Sequence, residues 1–147
     1  IAADFGCGAG YFSLALAKAV GQGGRVYAID IQKEVLEVVR NRAKSKHLSN
    51  ISTIWADLEI AGSSKLKNEL ADFVLVGSIL FQTEDKMAVV REARRILKPK
   101  GRAAAIESYG RIAKEETEKL FLSAGFVLKK EIYKVGTDHY LVLFEKA

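Results

Sequence analysis

Residues 4–10 read Asp-Phe-Gly-Cys-Gly-Ala-Gly, with a glycine at every second position behind an acid. Ile1-Ala2-Ala3 ahead of them is apolar, like the end of a buried strand, and Ser13 to Ala19 behind them favours a helix. Strand, glycine turn and helix in that order describe a nucleotide-binding loop. Glycine accepts positive φ, and its missing Cβ lets a ligand approach the backbone. The helix start then offers unpaired N–H groups and a positive dipole end to an anionic group.

Spacing narrows the nucleotide. The dinucleotide fingerprint G-x-G-x-x-G, started at Gly6 and Gly8, needs a glycine where this chain has Tyr11. The third glycine is Gly10, giving G-x-G-x-G with Asp4 two residues ahead. On these residues the chain resembles the class I S-adenosylmethionine-dependent methyltransferases at their first motif. A glycine-rich turn without a ligand and a degenerate dinucleotide site stay open on the loop alone.

Strand and helix patterns alternate along the rest of the chain, which predicts a parallel α/β sheet. Arg25 to Asp30 is a β-rich run closed by an acid, and Lys33 to about His47 is helical, with Val35, Leu36, Val39 and Ala43 on one period. Asn50 to Trp55 is a short strand, and Asp72 to Gly77 is an almost continuous apolar run suited to a central strand. Glu84 to Leu97 is a helix with Met87, Val90, Ala93 and Leu97 as its buried stripe, stopped by Pro99 and Gly101. Arg102 to Glu107 is expected as a fifth strand against the poor β propensity of its alanines. A helix over Ile112 to Ala124 follows. Phe126 to Val135 and Tyr140 to Phe144 then flank a hairpin-like turn at Gly136-Thr137-Asp138.

The resemblance implies a Rossmann-like, seven-stranded, mostly parallel sheet in the order 3-2-1-4-5-7-6, with helices on both faces and an antiparallel C-terminal hairpin. We assign residues 1–147 to one S-adenosylmethionine-binding domain. The chain opens inside its first strand, and we expect a truncated N-terminus without the helices that often cover the acceptor in the family.

S-adenosyl-L-methionine has an amino-acid end, a ribose diol and an adenine to be held. Gly6, Gly8 and Gly10 suit the methionine end. Asp4 either balances its ammonium, directly or through water, or only caps the turn. Asp30 lies 20 positions beyond Gly10. An acid about 20 residues after a glycine loop can accept both ribose hydroxyls; capping the helix near Lys33 is its other reading. The family commonly places an acid at the position of Asp57 against the adenine edge, with Leu58 beside it and Ile31 on the ring face, while loop capping is the alternative for Asp57. Gly77 is expected beside the transferable methyl group, with Ser78 near it and Phe81 and Gln82 towards the acceptor.

The acceptor branch is read from the fourth strand onwards. Gly77-Ser78-Ile79-Leu80-Phe81-Gln82 lacks the Asn/Asp-Pro-Pro-Tyr pattern of nucleic-acid amino methyltransferases and the metal-ligating acid of catechol-type enzymes. His47 and His139 make no metal spacing, so no metal is expected. Arg95-Ile96-Leu97-Lys98-Pro99-Lys100-Gly101 resembles the Arg-x-Leu-Lys-Pro-x-Gly segment of the small-molecule branch that includes the ubiquinone and menaquinone biosynthesis methyltransferases. The resemblance implies methyl transfer to a small molecule by direct displacement, which needs alignment more than a general base; no catalytic residue is assigned.

Net charge is +5, from 23 Lys and Arg against 18 Asp and Glu. That keeps an RNA methyltransferase as one alternative, and a non-catalytic binding module is another. No apolar run approaches the ~18 residues of a membrane span, and no signal peptide is visible. Cys7 is the single cysteine, so no internal disulfide forms and a cytoplasmic setting is expected. Oligomeric state is not legible.

Overall fold

A computed structural model describes residues 1–136 and 138–147, without the side chains of 133–135. The chain alternates β1 (Ala2–Phe5), α1 (Tyr11–Val20), β2 (Val26–Asp30), α2 (Lys33–Ser45), β3 (Ile51–Trp55) and β4 (Ala71–Gly77). A 3-10 turn at Leu80–Gln82 leads into α3 (Lys86–Ile96), β5 (Leu97–Ser108), α4 (Lys114–Ser123), β6 (Phe126–Val135) and β7 (His139–Lys146). The strands form one sheet in the order β3-β2-β1-β4-β5-β7-β6, the order expected. Strands β1 to β5 run parallel to one another, and β7 runs antiparallel between β5 and β6. Of the turn expected at 136–138, Thr137 lies outside the described residues.

Alternation along the strands sorts the two faces. Phe5, Val74, Val76, Ala103, Ala105 and Phe144 pack under α3 and α4 in the main core. Ala2, Val26 and Ala28 face α1 and α2, where Ala17, Leu36 and Val39 cover them. The three alanines of β5 are buried, at 0–4% exposure. Their burial between neighbouring strands overrides the weak propensity that the sequence alone assigns them. On α4, Phe121 stacks on Phe144 at 4.2 Å between centroids.

The strand β5 begins earlier than expected. Leu97 pairs with Ala71, and the ladder then shifts so that Arg102 pairs with Phe73. Lys98 to Gly101 therefore bulges rather than merely ending α3, with Lys100 left-handed at φ 64°. A Cβ on Gly101 would stand 2.9 Å from the Lys98 carbonyl oxygen, so the bulge needs glycine there. The half-buried Met87 lies at the edge of the α3 stripe, whose buried members are Val89, Val90, Glu92, Ala93 and Ile96.

Tyr140 is fully buried and joins α4 to the end of the sheet. Its hydroxyl donates to the Ile112 carbonyl at 3.1 Å and lies 2.8 Å from the Thr117 hydroxyl. Tyr140→Phe leaves both partners unsatisfied, and an urea titration should read a loss of about 1–2 kcal/mol.

Candidate active site at the switch point of the sheet

Strand order reverses between β1 and β4, and the carboxyl ends of an open parallel sheet bind ligands at such a point. A cavity of about 520 Å³ lies there. Gly6 and Gly8 border it after β1, Asp30 and Ile31 after β2, Asp57 and Leu58 after β3, and Gly77 at the end of β4. Seven of the nine expected residues therefore share one cavity wall. Asp4 and Gly10 stand behind it.

The glycine loop is built by its own backbone bonds. Gly6 and Cys7 N–H both donate to the Ile29 carbonyl, at 2.9 and 3.0 Å, which seats the loop on β2. Gly10 has φ 86°, and a Cβ on it would stand 2.9 Å from a Val39 methyl. Here glycine is required both by backbone conformation and by the approach of α2. At Gly8 a Cβ would meet nothing within 4 Å, so the loop leaves open space on its cavity side. The Cys7 thiol is buried, and that burial, with the Asp4 and Asp30 carboxylates nearby, pushes its pKa up. It is a packing group and not a nucleophile.

Asp4 is 2% exposed and accepts a 2.6 Å hydrogen bond from the Ser13 hydroxyl in α1. Burial raises its pKa to about 6 against the lowering effect of that bond, and the Asp30 charge adds to the rise. The acid ties the strand end to the first turn of the helix. Ser13 was not singled out in the sequence, because a pair nine residues apart follows neither helical nor strand spacing.

Asp30 bridges two loops. Its Oδ2 accepts the Gly8 N–H at 3.0 Å, and its Oδ1 accepts the Gln32 N–H at 2.9 Å just before α2. The helix-capping alternative is thus realised as a turn ahead of the helix rather than a bond into it. Each oxygen holds a single backbone donor, which leaves carboxylate lone pairs for a ligand. Ile31, 58% exposed, is held by a bond from Trp55 Nε1 to its carbonyl at 2.7 Å, and Lys33 Nζ lies 3.8 Å over the Trp55 ring. Asp57 makes the capping contact expected of its alternative reading: Oδ1 accepts the Glu59 N–H at 3.0 Å. Leu58 is buried beside it.

The β4 side is shaped by Ser78 and by Glu107, the latter missed by sequence reasoning. Ser78 is left-handed at φ 52°, and its N–H donates to the Ile106 carbonyl at 2.8 Å. Glu107, at the end of β5, then accepts the next two N–H groups, from Ile79 at 3.0 Å and Leu80 at 2.8 Å. Burial raises its pKa to about 7, against the lowering effect of those two bonds and of the nearby His139 and Lys86. Its partners lie 27 and 28 positions upstream, beyond any local pattern. Among the described residues no three His, Cys, Asp or Glu side chains gather as a metal site. No helix among them is long and apolar enough to cross a membrane.

A family model described as a methyltransferase domain matches residues 2–144. The chain belongs to that family. Two similar methyltransferases are the demethylmenaquinone methyltransferases of Geobacillus sp. (strain WCH70) and Staphylococcus haemolyticus (strain JCSC1435). The first is 33% identical over 107 residues, covering 73% of this chain and 44% of that protein. The second is 33% identical over 145 residues, covering 99% and 53%. The chain thus spans about half the length of the curated relatives it matches. Among solved structures, an Aquifex aeolicus protein described as a SAM dependent methyltransferase superposes with TM-score 0.89 at 22% identity, covering 99% of this chain and 81% of that one. The [4+2]-cyclase SpnF superposes with TM-score 0.84 at 15% identity, covering 99% and 74%. The methyltransferase fold alone therefore does not fix a reaction.

Proposed function

We propose that residues 1–147 form one S-adenosylmethionine-binding domain that moves a methyl group to a small-molecule acceptor by direct displacement. The observation that carries this reading is the single cavity in which the glycine loop, Asp30 and Asp57 meet. Its volume falls in the range of cofactor clefts, about 300–1,000 Å³, and the open side of Gly8 leaves room for a ligand against the backbone. When bound, the sulfonium supplies an activated methyl group, so the protein's task is alignment. In this reading the loop and the start of α1 face the amino-acid carboxylate, with Gly10 shaping the loop from behind. Asp4 contributes its charge through the loop rather than by contact. Asp30 takes the ribose diol, Asp57 and Leu58 meet the adenine edge, and Ile31 covers its face. Gly77 leaves the end of β4 free of a side chain where the methyl group is delivered.

Membership of the methyltransferase domain family and the named substrate of the relatives, demethylmenaquinone, make a quinone-derived ring the first acceptor to try. A cytoplasmic setting goes with this reading. Calorimetry should find binding of S-adenosylmethionine and none of NAD; the reverse would return the domain to the dinucleotide class. With labelled cofactor, incorporation into a naphthohydroquinone and not into tRNA or rRNA is expected. Label in RNA alone would overturn the small-molecule reading, and tight binding without transfer to any acceptor would favour a binding module.

A further inference from the structure

Glu107 is fully buried at the end of β5, and only half of its carboxyl is explained by the fold. Oε1 accepts the Ile79 and Leu80 N–H groups. Oε2 is buried and has no hydrogen-bond partner among the described residues. A buried acceptor left unpaired is costly and rare, and one oxygen already suffices to hold the loop. Glu107 lines a second cavity of about 240 Å³ together with Phe81, Ser108, Arg111, Asp138 and His139. Ser78 borders both this cavity and the larger one. The second cavity therefore opens beside Gly77-Ser78, where the proposed function delivers the methyl group.

The surroundings select the chemistry of an occupant. The Arg111 guanidinium lies 4.3 Å over the Phe81 ring, forming a flat aromatic and cationic wall. His139, at the start of β7 beside β5, is held by the preceding Asp138 at 2.8 Å. A cationic amine would meet Arg111, and a carboxylate or phosphate would set its oxygens against Glu107. A wholly apolar ring would leave Oε2 unpaired. A ring bearing a hydroxyl donates to Oε2 and lays its face along the wall.

We infer that this cavity is the acceptor subsite and that Oε2 of Glu107 takes the hydroxyl hydrogen of a hydroxylated aromatic acceptor. The inference rests on the proposed function and adds the residue that reads the acceptor. Glu107→Gln is the informative variant: its amide oxygen keeps the two backbone bonds, while its NH₂ cannot accept a hydroxyl. The whole protein, saturated with S-adenosylhomocysteine, is titrated with 2-naphthol and with 2-methoxynaphthalene, which lacks the donor. The wild type should prefer 2-naphthol about 10-fold, and Glu107→Gln should reduce the preference to about 2-fold with S-adenosylhomocysteine affinity unchanged. A wild type without the preference, or a variant that keeps it, overturns the role of Glu107 and leaves the donor site standing. Wild-type protein that fails to bind S-adenosylhomocysteine overturns both readings.

Discussion

Arg95→Ala should cost about 2–4 kcal/mol of stability at pH 7, read as a shifted midpoint in urea. Arg95 is the first residue of the Arg-x-Leu-Lys-Pro-x-Gly segment, and its guanidinium is fully engaged. Nε and Nη2 donate to the two oxygens of Glu92 at 2.9 and 2.7 Å. Nη1 donates to the Leu66 carbonyl at 2.8 Å and to Asn68 at 2.7 Å. Glu92 is 3% exposed and also accepts from the Ser64 hydroxyl at 2.6 Å and the Gly62 N–H at 3.1 Å. The pair thus fastens the long loop between β3 and β4 to α3. Truncating Arg95 leaves a buried carboxylate with two neutral donors, and that orphaned charge is the main cost.

The pH dependence of the same variant separates this account from simple loss of packing. Burial pushes Glu92 up, but the bonds from Arg95, Ser64 and Gly62 together hold its pKa below the ordinary value. A depressed carboxylate contributes stability that is present above its unfolded pKa of about 4.5 and lost as pH falls through the lower folded value. Without Arg95, burial is opposed only by the Ser64 and Gly62 bonds, so the folded pKa rises from its wild-type position and the stability gained above 4.5 shrinks. The gap between wild type and Arg95→Ala should therefore widen from pH 4 to pH 7. A gap constant over that range would assign the loss to packing.

The strands were legible in the sequence from their own apolar runs, whereas their order and the adenine side of the cavity were legible only through the resemblance to the methyltransferase family. Asp30 and Gly77 end β2 and β4, while Gly6, Gly8 and Asp57 follow β1 and β3 within three residues, and an open parallel sheet brings such ends together whatever the loops between them do. What stayed hidden is what one strand end does for another. Arg95 stands in a segment that reads as a helix stop, yet its partners lie 27 to 31 positions upstream apart from Glu92 one turn away. Glu107 reads as the polar end of a strand; only tertiary structure brings the Ile79 and Leu80 amides to it. Pro99 and Gly101 signal an end to α3 and equally a bulge in β5, and composition does not separate the two. The proposed donor side thus rests on local motifs, and the proposed acceptor side on contacts between distant segments.

Asp30→Ala should weaken binding of S-adenosylhomocysteine by about 1–3 kcal/mol, roughly 5- to 150-fold, in calorimetry on a folded variant. The carboxylate has two duties that such a loss would mix. Its bonds to Gly8 and Gln32 hold the glycine loop against the start of α2, and its remaining lone pairs are proposed to receive the ribose diol. A ligand-side deletion separates them. The 2′,3′-dideoxy form of S-adenosylhomocysteine removes the diol and leaves the loop contacts intact. If Asp30 holds the ribose, wild type should lose affinity for the dideoxy ligand, by no more than Asp30→Ala loses for the natural one, since the variant also loses the loop bonds. The variant should then bind both ligands alike, because the second deletion removes a contact already absent. Additive losses would mean that Asp30 acts only by shaping the loop, and the diol would need a different partner.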